Sequence, residues 1–217
     1  MDGLMPLDFH MIKTYGKFIC GVDEVGMGPL AGPVCACAFI LDLSKFEHVN
    51  KNAFINDSKK LTKIRRGEAF PWIVTAGWVG LGYVKVTEIN RIGNINRCGY
   101  IARERAYAAV VRKFGSQPSA IVSDFFHIAA PVSCEAVAKA DSKSFIVACA
   151  SIVAKVVRDK YMVKRSKFHP HYGWERNMGY GTKEHIKNIR CFGQMGSHRH
   201  YMIHNQVEGG WGALGAR

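Results

Sequence analysis

Phe18-Ile-Cys-Gly-Val-Asp-Glu-Val-Gly-Met-Gly-Pro-Leu-Ala-Gly-Pro-Val-Cys-Ala-Cys-Ala-Phe-Ile-Leu41 contains two apolar, β-prone runs, and the turn between them carries three glycines and a proline. The runs predict strands over 18–23 and 33–41. Working outward, 78–86 has strand composition and completes a possible meander. From Thr87, apolar residues recur at a helical period through Ile89, Ile92, Ile95, Cys98, Ile101, Ala102 and Ala106, which predicts one long helix ending at Arg112-Lys113 despite Gly93 and Gly99. A fourth strand is expected over 120–124, and a short fifth one begins at Ala136 and ends at Asp141. The stretch 144–160, apolar nearly all round, predicts a buried central helix. Strands followed by helix, strand and helix give an α/β architecture with a mixed sheet.

Among 217 residues, 48% are apolar and 22% charged, which excludes disordered, collagen-like and coiled-coil classes. The longest apolar run, Val34 to Leu41, falls far short of the roughly 20 residues that cross a bilayer, so no membrane span is expected. Residues around Asp2 and Asp8 show no signal-peptide pattern. Seven cysteines without C-x-x-C spacing fit a reducing cytoplasm. The net charge of +13 favours a polyanionic partner, nucleic acid first. From 155 to 199, eleven Lys and Arg face only Asp159, Glu175 and Glu184. The expected organisation is a core over 1–163 and a basic substrate-binding lobe over 164–217, within one compact unit.

Asp23 and Glu24 end one apolar strand, Asp124 ends another and Asp141 a third, so four acids can meet at the carboxyl edge of the sheet. Such a cluster repels itself unless hard cations relieve it, and all-oxygen ligands suit Mg²⁺ or Mn²⁺. Carboxylates inside a basic protein are the pattern of metal-assisted phosphodiester chemistry. Gly26, Gly28 and Gly32 do not form a dinucleotide fingerprint, because Pro29 and Pro33 lead into a strand and not a helix. The run Asp57-Ser-Lys-Lys-Leu-Thr-Lys-Ile-Arg-Arg66 offers a phosphate contact or a solvated helix face. His169, His171, His198, His200 and His204 have spacings reminiscent of metal sites, without the cysteines or acids that would complete one. Tyr172, Trp174, Tyr180 and Tyr201 fit either stacking on nucleic acid or packing of a loop-rich lobe.

Taken together, Gly21 to Val34, Asp57 to Leu61, Lys139-Ala-Asp-Ser-Lys143 running into Ala148 to Asp159, and Gly179-Tyr-Gly-Thr182 with His198-Arg199 resemble ribonuclease HII in content and order. The resemblance implies a ribonuclease H-like fold, a five-stranded mixed sheet flanked by helices with a basic helical C-terminal lobe. It implies a monomeric endonuclease acting on the RNA strand of RNA/DNA hybrids or on DNA containing ribonucleotides, leaving 5'-phosphate and 3'-hydroxyl ends. Asp23, Glu24, Asp124 and Asp141 match the family's catalytic, metal-binding acids, with two Mg²⁺ or Mn²⁺ ions. Gly26, Met27, Gly28, Lys59, Lys60, Tyr180 and Arg199 fall on its substrate-binding positions. A different metal-dependent nuclease of this fold, or a catalytically weak hybrid-binding protein, are the alternatives.

The chain departs from the family in three places. The family's Gly-Arg-Gly is Gly26-Met27-Gly28, Asp124 is followed by Phe125-Phe126 where a glycine is usual, and Gly67 and Pro71 interrupt the helix expected after Asp57-Ser-Lys. The neutral Met27 is also similar to ribonuclease HIII, whereas Pro29-Leu-Ala-Gly-Pro33 is HII-like. With no arginine at 27, a preference for ribonucleotide runs over single embedded ribonucleotides is expected.

Overall fold

The computed structural model describes residues 4–47 and 61–203. Five strands, β1 (Ile19–Val25), β2 (Val34–Leu41), β3 (Gly77–Val84), β4 (Ala120–Asp124) and β5 (Cys134–Val137), form one sheet in the order β3-β2-β1-β4-β5. The first three make the expected antiparallel meander. On the other side of β1, β4 and then β5 add in parallel, which makes the sheet mixed.

The uninterrupted apolar run of β2 follows from burial on both faces. Cys37, Phe39 and Leu41 join the core beneath the central helix α5 (Phe145–Ser166), while Ala36, Ala38 and Ile40 join the core beneath α4 (Ile95–Phe114). Gly21 lets α5 close on the sheet. A Cβ there would lie 2.7–2.8 Å from the backbone of Ile146 and Val147, so no side chain fits between strand and helix. Among the described residues, no helix is long and apolar enough to cross a membrane.

Four elements differ from the sequence-based expectation. The helix predicted as continuous from Thr87 is two, α3 (Val86–Ile92) and α4. Gly93 adopts a left-handed conformation and Asn94 accepts a hydrogen bond from the Arg97 amide, which stops one helix and caps the next. β5 begins at Cys134 because pairing with Ile121–Asp124 sets its register; Asp141 then lies in a 3₁₀ turn, Ala140–Ser142, and not on the strand. The helix α2 (Lys63–Thr75) runs through Gly67 and Pro71. Pro71 would crowd the carbonyl of the residue four back, and that residue is Gly67, which has open space around it.

The fourth difference is α1 (Pro6–Tyr15), which the sequence patterning did not show. Its Asp8 is buried and accepts hydrogen bonds from the Ser144 hydroxyl (2.5 Å) and the Phe145 amide (2.7 Å), capping the start of α5 three residues after Asp141. Burial raises the Asp8 pKa, and these hydrogen bonds oppose the rise. Asp8→Ala orphans several of these buried donors. It is expected to cost about 2–4 kcal/mol, a fall in Tm of roughly 5–15 °C by thermal unfolding, with Asp8→Asn milder. An unchanged Tm in Asp8→Ala would refute the capping role.

Candidate active site

Asp23, Glu24, Asp124 and Asp141 line one cavity of about 430 Å³ together with Arg66, Ser151, Lys155 and Tyr180. β1 supplies the first two acids, β4 the third and the 3₁₀ turn the fourth. The parallel pairing of β1 with β4 brings Asp23 and Asp124 to the same sheet edge.

Protein groups hold Asp23, Glu24 and Asp124. The Asp23 carboxylate accepts the Glu24 amide at 2.8 Å and a hydrogen bond from Ser151. Glu24 lies 2.8 Å from the guanidinium of buried Arg103, and Asp124 accepts the Ala140 amide at 3.0 Å. Burial, followed by the charge of Glu24, pushes the Asp23 pKa up to about 8. Burial also raises Glu24, against the pull of Arg103. Among the described residues, no three His, Cys, Asp or Glu side chains already converge as ligands for one ion. The carboxylates of Asp23, Glu24 and Asp124 share the cavity while facing protein donors. An all-oxygen donor set with a proton held on Asp23 fits a hard divalent metal, whose charge would release that proton.

The Gly-rich loop after β1 is held from below by two buried arginines. Arg199 donates to the carbonyls of Gly26 (2.6 Å), Met27 (3.1 Å) and Gly32 (2.9 Å). Arg158 donates to those of Pro33, Ala31 and Met178. Arg199 was expected among the substrate contacts. The structure instead buries it completely, with its donors turned to the loop carbonyls, so its side chain supports the loop from within and offers no exposed contact. Gly26 has φ +91°, and a Cβ there would meet the Arg158 side chain at 2.3 Å. Met27 turns inward, its thioether against Gly99 of α4 and the apolar core.

Tyr180 is 42% exposed, beside Gly28 and the acid cavity. Its carbonyl is anchored by a buried histidine pair. The Met195 amide donates to His198 Nδ1, so His198 Nε2–H donates to His185 Nε2, which also accepts from Trp174. His185 then donates from Nδ1 to the Tyr180 carbonyl at 2.8 Å. Burial lowers both histidine pKa values, that of His198 to about 3, so both are neutral. Tyr172 and Trp174 stack on each other inside the lobe core, as packing and not as an exposed surface. Lys59 and Lys60 lie outside the described residues.

Sequence patterning alone missed Ser151, Lys155 and Arg158. The signal was present, since polar residues at i, i+4 and i+7 make one stripe through the otherwise apolar stretch 145–158 of the helix. Arg103 was hidden in the same way, inside the periodic run of α4.

A family model described as ribonuclease HII matches residues 20–204. The chain is 40% identical over 201 residues to ribonuclease HII of Paramagnetospirillum magneticum, covering 90% of this chain and 94% of that protein. It is 46% identical over 173 residues to ribonuclease HII of Zymomonas mobilis, covering 79% and 78%. Among solved structures it is similar to the ribonuclease H2 of Pyrococcus horikoshii, with TM-score 0.73, 22% identity, and 88% and 97% of the two chains covered. It is also similar to Bst ribonuclease HIII in complex with Mn²⁺, with TM-score 0.74, 19% identity, and 94% and 73% covered. These two likenesses show the fold. A match along nearly the whole chain, with the quoted blocks in place around one acid-lined cavity, means that the protein belongs to the ribonuclease HII family, the ribonuclease H endonucleases that act on RNA/DNA hybrids.

Proposed function

We propose that Asp23, Glu24, Asp124 and Asp141 hold two divalent cations, Mg²⁺ or Mn²⁺, and that the protein cuts the RNA strand to leave 5'-phosphate and 3'-hydroxyl ends. The shared cavity of the four acids carries this reading. Bound cations would supply Lewis-acid charge that activates a water and stabilises the leaving oxygen. The chain's own residues do the rest. Asp23 would hold a cation as its carboxylate, which Ser151 and the Glu24 amide orient, and Arg103 holds Glu24. No side-chain nucleophile is required.

Around the acids, Arg66 and Lys155 provide positive charge for phosphates. By the family match, Lys59 and Lys60 add to this grip. The backbone of Gly26 and Gly28, held in place by Arg199 and Arg158, reads the ribose 2'-hydroxyl that separates RNA from DNA. Tyr180 packs against the sugar beyond the junction. Residues 164–217 serve as the substrate-binding lobe of the same compact unit. The protein works as a monomer in the cytoplasm, a compartment consistent with its seven free thiols.

Met27 sets the substrate preference. Its inward side chain gives the loop no cationic donor, which supports a preference for runs of ribonucleotides over a single embedded one. An added charge-assisted contact is worth on the order of 1.5–3 kcal/mol, so Met27→Arg is expected to raise kcat/KM on single-ribonucleotide duplexes about 10- to 100-fold relative to runs. Measuring both substrates with both proteins at one salt concentration decides it. Equal efficiency in the parent, unchanged by arginine, would overturn the preference.

A further inference from the structure

Phe125 combines three properties that folding alone does not reward. It follows Asp124 directly, its backbone sits at φ +64°, and its ring is 67% exposed. Left-handed backbone suits glycine and strains a bulky side chain, and an exposed apolar ring gains nothing from burial. The strain is nevertheless well supported. The Phe125 amide donates to the Val137 carbonyl at 3.1 Å, and the Ser123 hydroxyl closes the turn onto the Phe126 carbonyl.

The ring is also braced from behind. Phe126 meets it edge-on at 5.0 Å, the Arg103 guanidinium lies 4.3 Å from the centre of the Phe126 ring, and Arg103 pairs with Glu24. A layered array thus runs from an active-site acid to an exposed aromatic face. Tyr180 lies by the Gly-rich loop that leads from β1 toward β2, whereas Phe125 follows β4, on the opposite flank of β1.

We propose that Phe125 is a second stacking contact for the nucleic acid, placing a base or sugar ring against its exposed face on the β4 side of the acids. The inference rests on the ribonuclease reading for its ligand. A phenyl ring offers no hydrogen bond, so the contact tolerates any base and contributes affinity without sequence preference. With Tyr180 it brackets the scissile region between two aromatic faces.

The test compares Phe125→Gly and Phe125→Tyr with the parent. Each is assayed for hybrid binding by fluorescence anisotropy in EDTA, for KM and kcat on the same hybrid with Mn²⁺, and for thermal unfolding. Stacking of one ring predicts a loss of affinity of roughly five- to twentyfold in Phe125→Gly, with KM moving more than kcat and Tm no lower than the parent's. Phe125→Tyr keeps the parent's affinity. Phe125→Gly binding within twofold of the parent, or Phe125→Tyr binding as weakly as Phe125→Gly, would overturn the proposal. A parent that binds the hybrid without cutting it fails the ribonuclease reading, while the binding comparison still decides the role of Phe125.

Discussion

Asp23→Asn is expected to lower hybrid cleavage by on the order of 10³-fold or more while making the metal-free protein more stable at pH 8. The first effect follows from the role proposed for Asp23, a charged metal ligand in the acid-lined cavity. The second follows from the pKa of Asp23, pushed up to about 8 by burial and by Glu24. In the unfolded chain the same carboxyl titrates near 3.8. Between those values the folded protein keeps a proton that the unfolded chain has released. Stability from this group is therefore full below pH 4 and is lost as pH rises through about 8. Asparagine does not titrate, so its advantage in Tm in EDTA should be absent at pH 4 and largest at pH 8 and above. Asp141→Asn and Asp124→Asn share the loss of cleavage. Near-parental cleavage by Asp23→Asn, or a Tm advantage that does not grow with pH, would show that Asp23 is not a buried ligand.

Arg199→Met should unfold the lobe from the loop. Methionine approximates the volume and removes all three donors, orphaning the carbonyls of Gly26, Met27 and Gly32 inside the protein. Each orphaned group costs about 1–3 kcal/mol, partly offset because a buried cation no longer needs desolvating. Burial and the neighbouring Arg158 charge lower the Arg199 pKa to about 9, still above neutrality, so the group being lost is a cation. A net cost of about 2–5 kcal/mol corresponds to a fall in Tm of roughly 5–15 °C for a chain of this size. Hybrid KM should rise too, since the glycine loop proposed to read the ribose loses its support. A Tm within 2 °C of the parent's, with unchanged KM, would mean that the loop holds itself.

The central strands and the acids were legible because their signals are local. β1, β2 and β4 are short apolar runs ended by Gly, Pro or Asp, and α5 is a long Ala-rich apolar stretch. The resemblance then assigned the acids to one site, and the structure lines one cavity with them. What failed was set by distant partners. Nothing near Asp8 announces that it caps a helix 136 residues away. The break at Gly93-Asn94 was written in the sequence, but the apolar period continues across it and masked the stop. β5 takes its register from β4, so its own composition did not place it.

Charge was the least transparent property. Arg103, Arg158 and Arg199 enter the basic balance as surface cations, yet all three are buried and committed to Glu24 or to loop carbonyls. Part of the positive charge that suggested a nucleic-acid surface therefore builds the Gly-rich loop beside the acid-lined cavity. Phe125 is the reverse case. The missing glycine after Asp124 was visible as a departure, while the left-handed backbone that gives it meaning is visible only in three dimensions.

The most direct measurement incubates one sequence as RNA/DNA hybrid, DNA duplex and RNA duplex with the protein, in Mg²⁺, Mn²⁺ or EDTA, and maps the ends of any product. The four-acid account expects internal cuts in the RNA strand of the hybrid alone, 5'-phosphate and 3'-hydroxyl ends, and no cleavage in EDTA. Cleavage that persists in EDTA, or equal cutting of the DNA duplex, would contradict it.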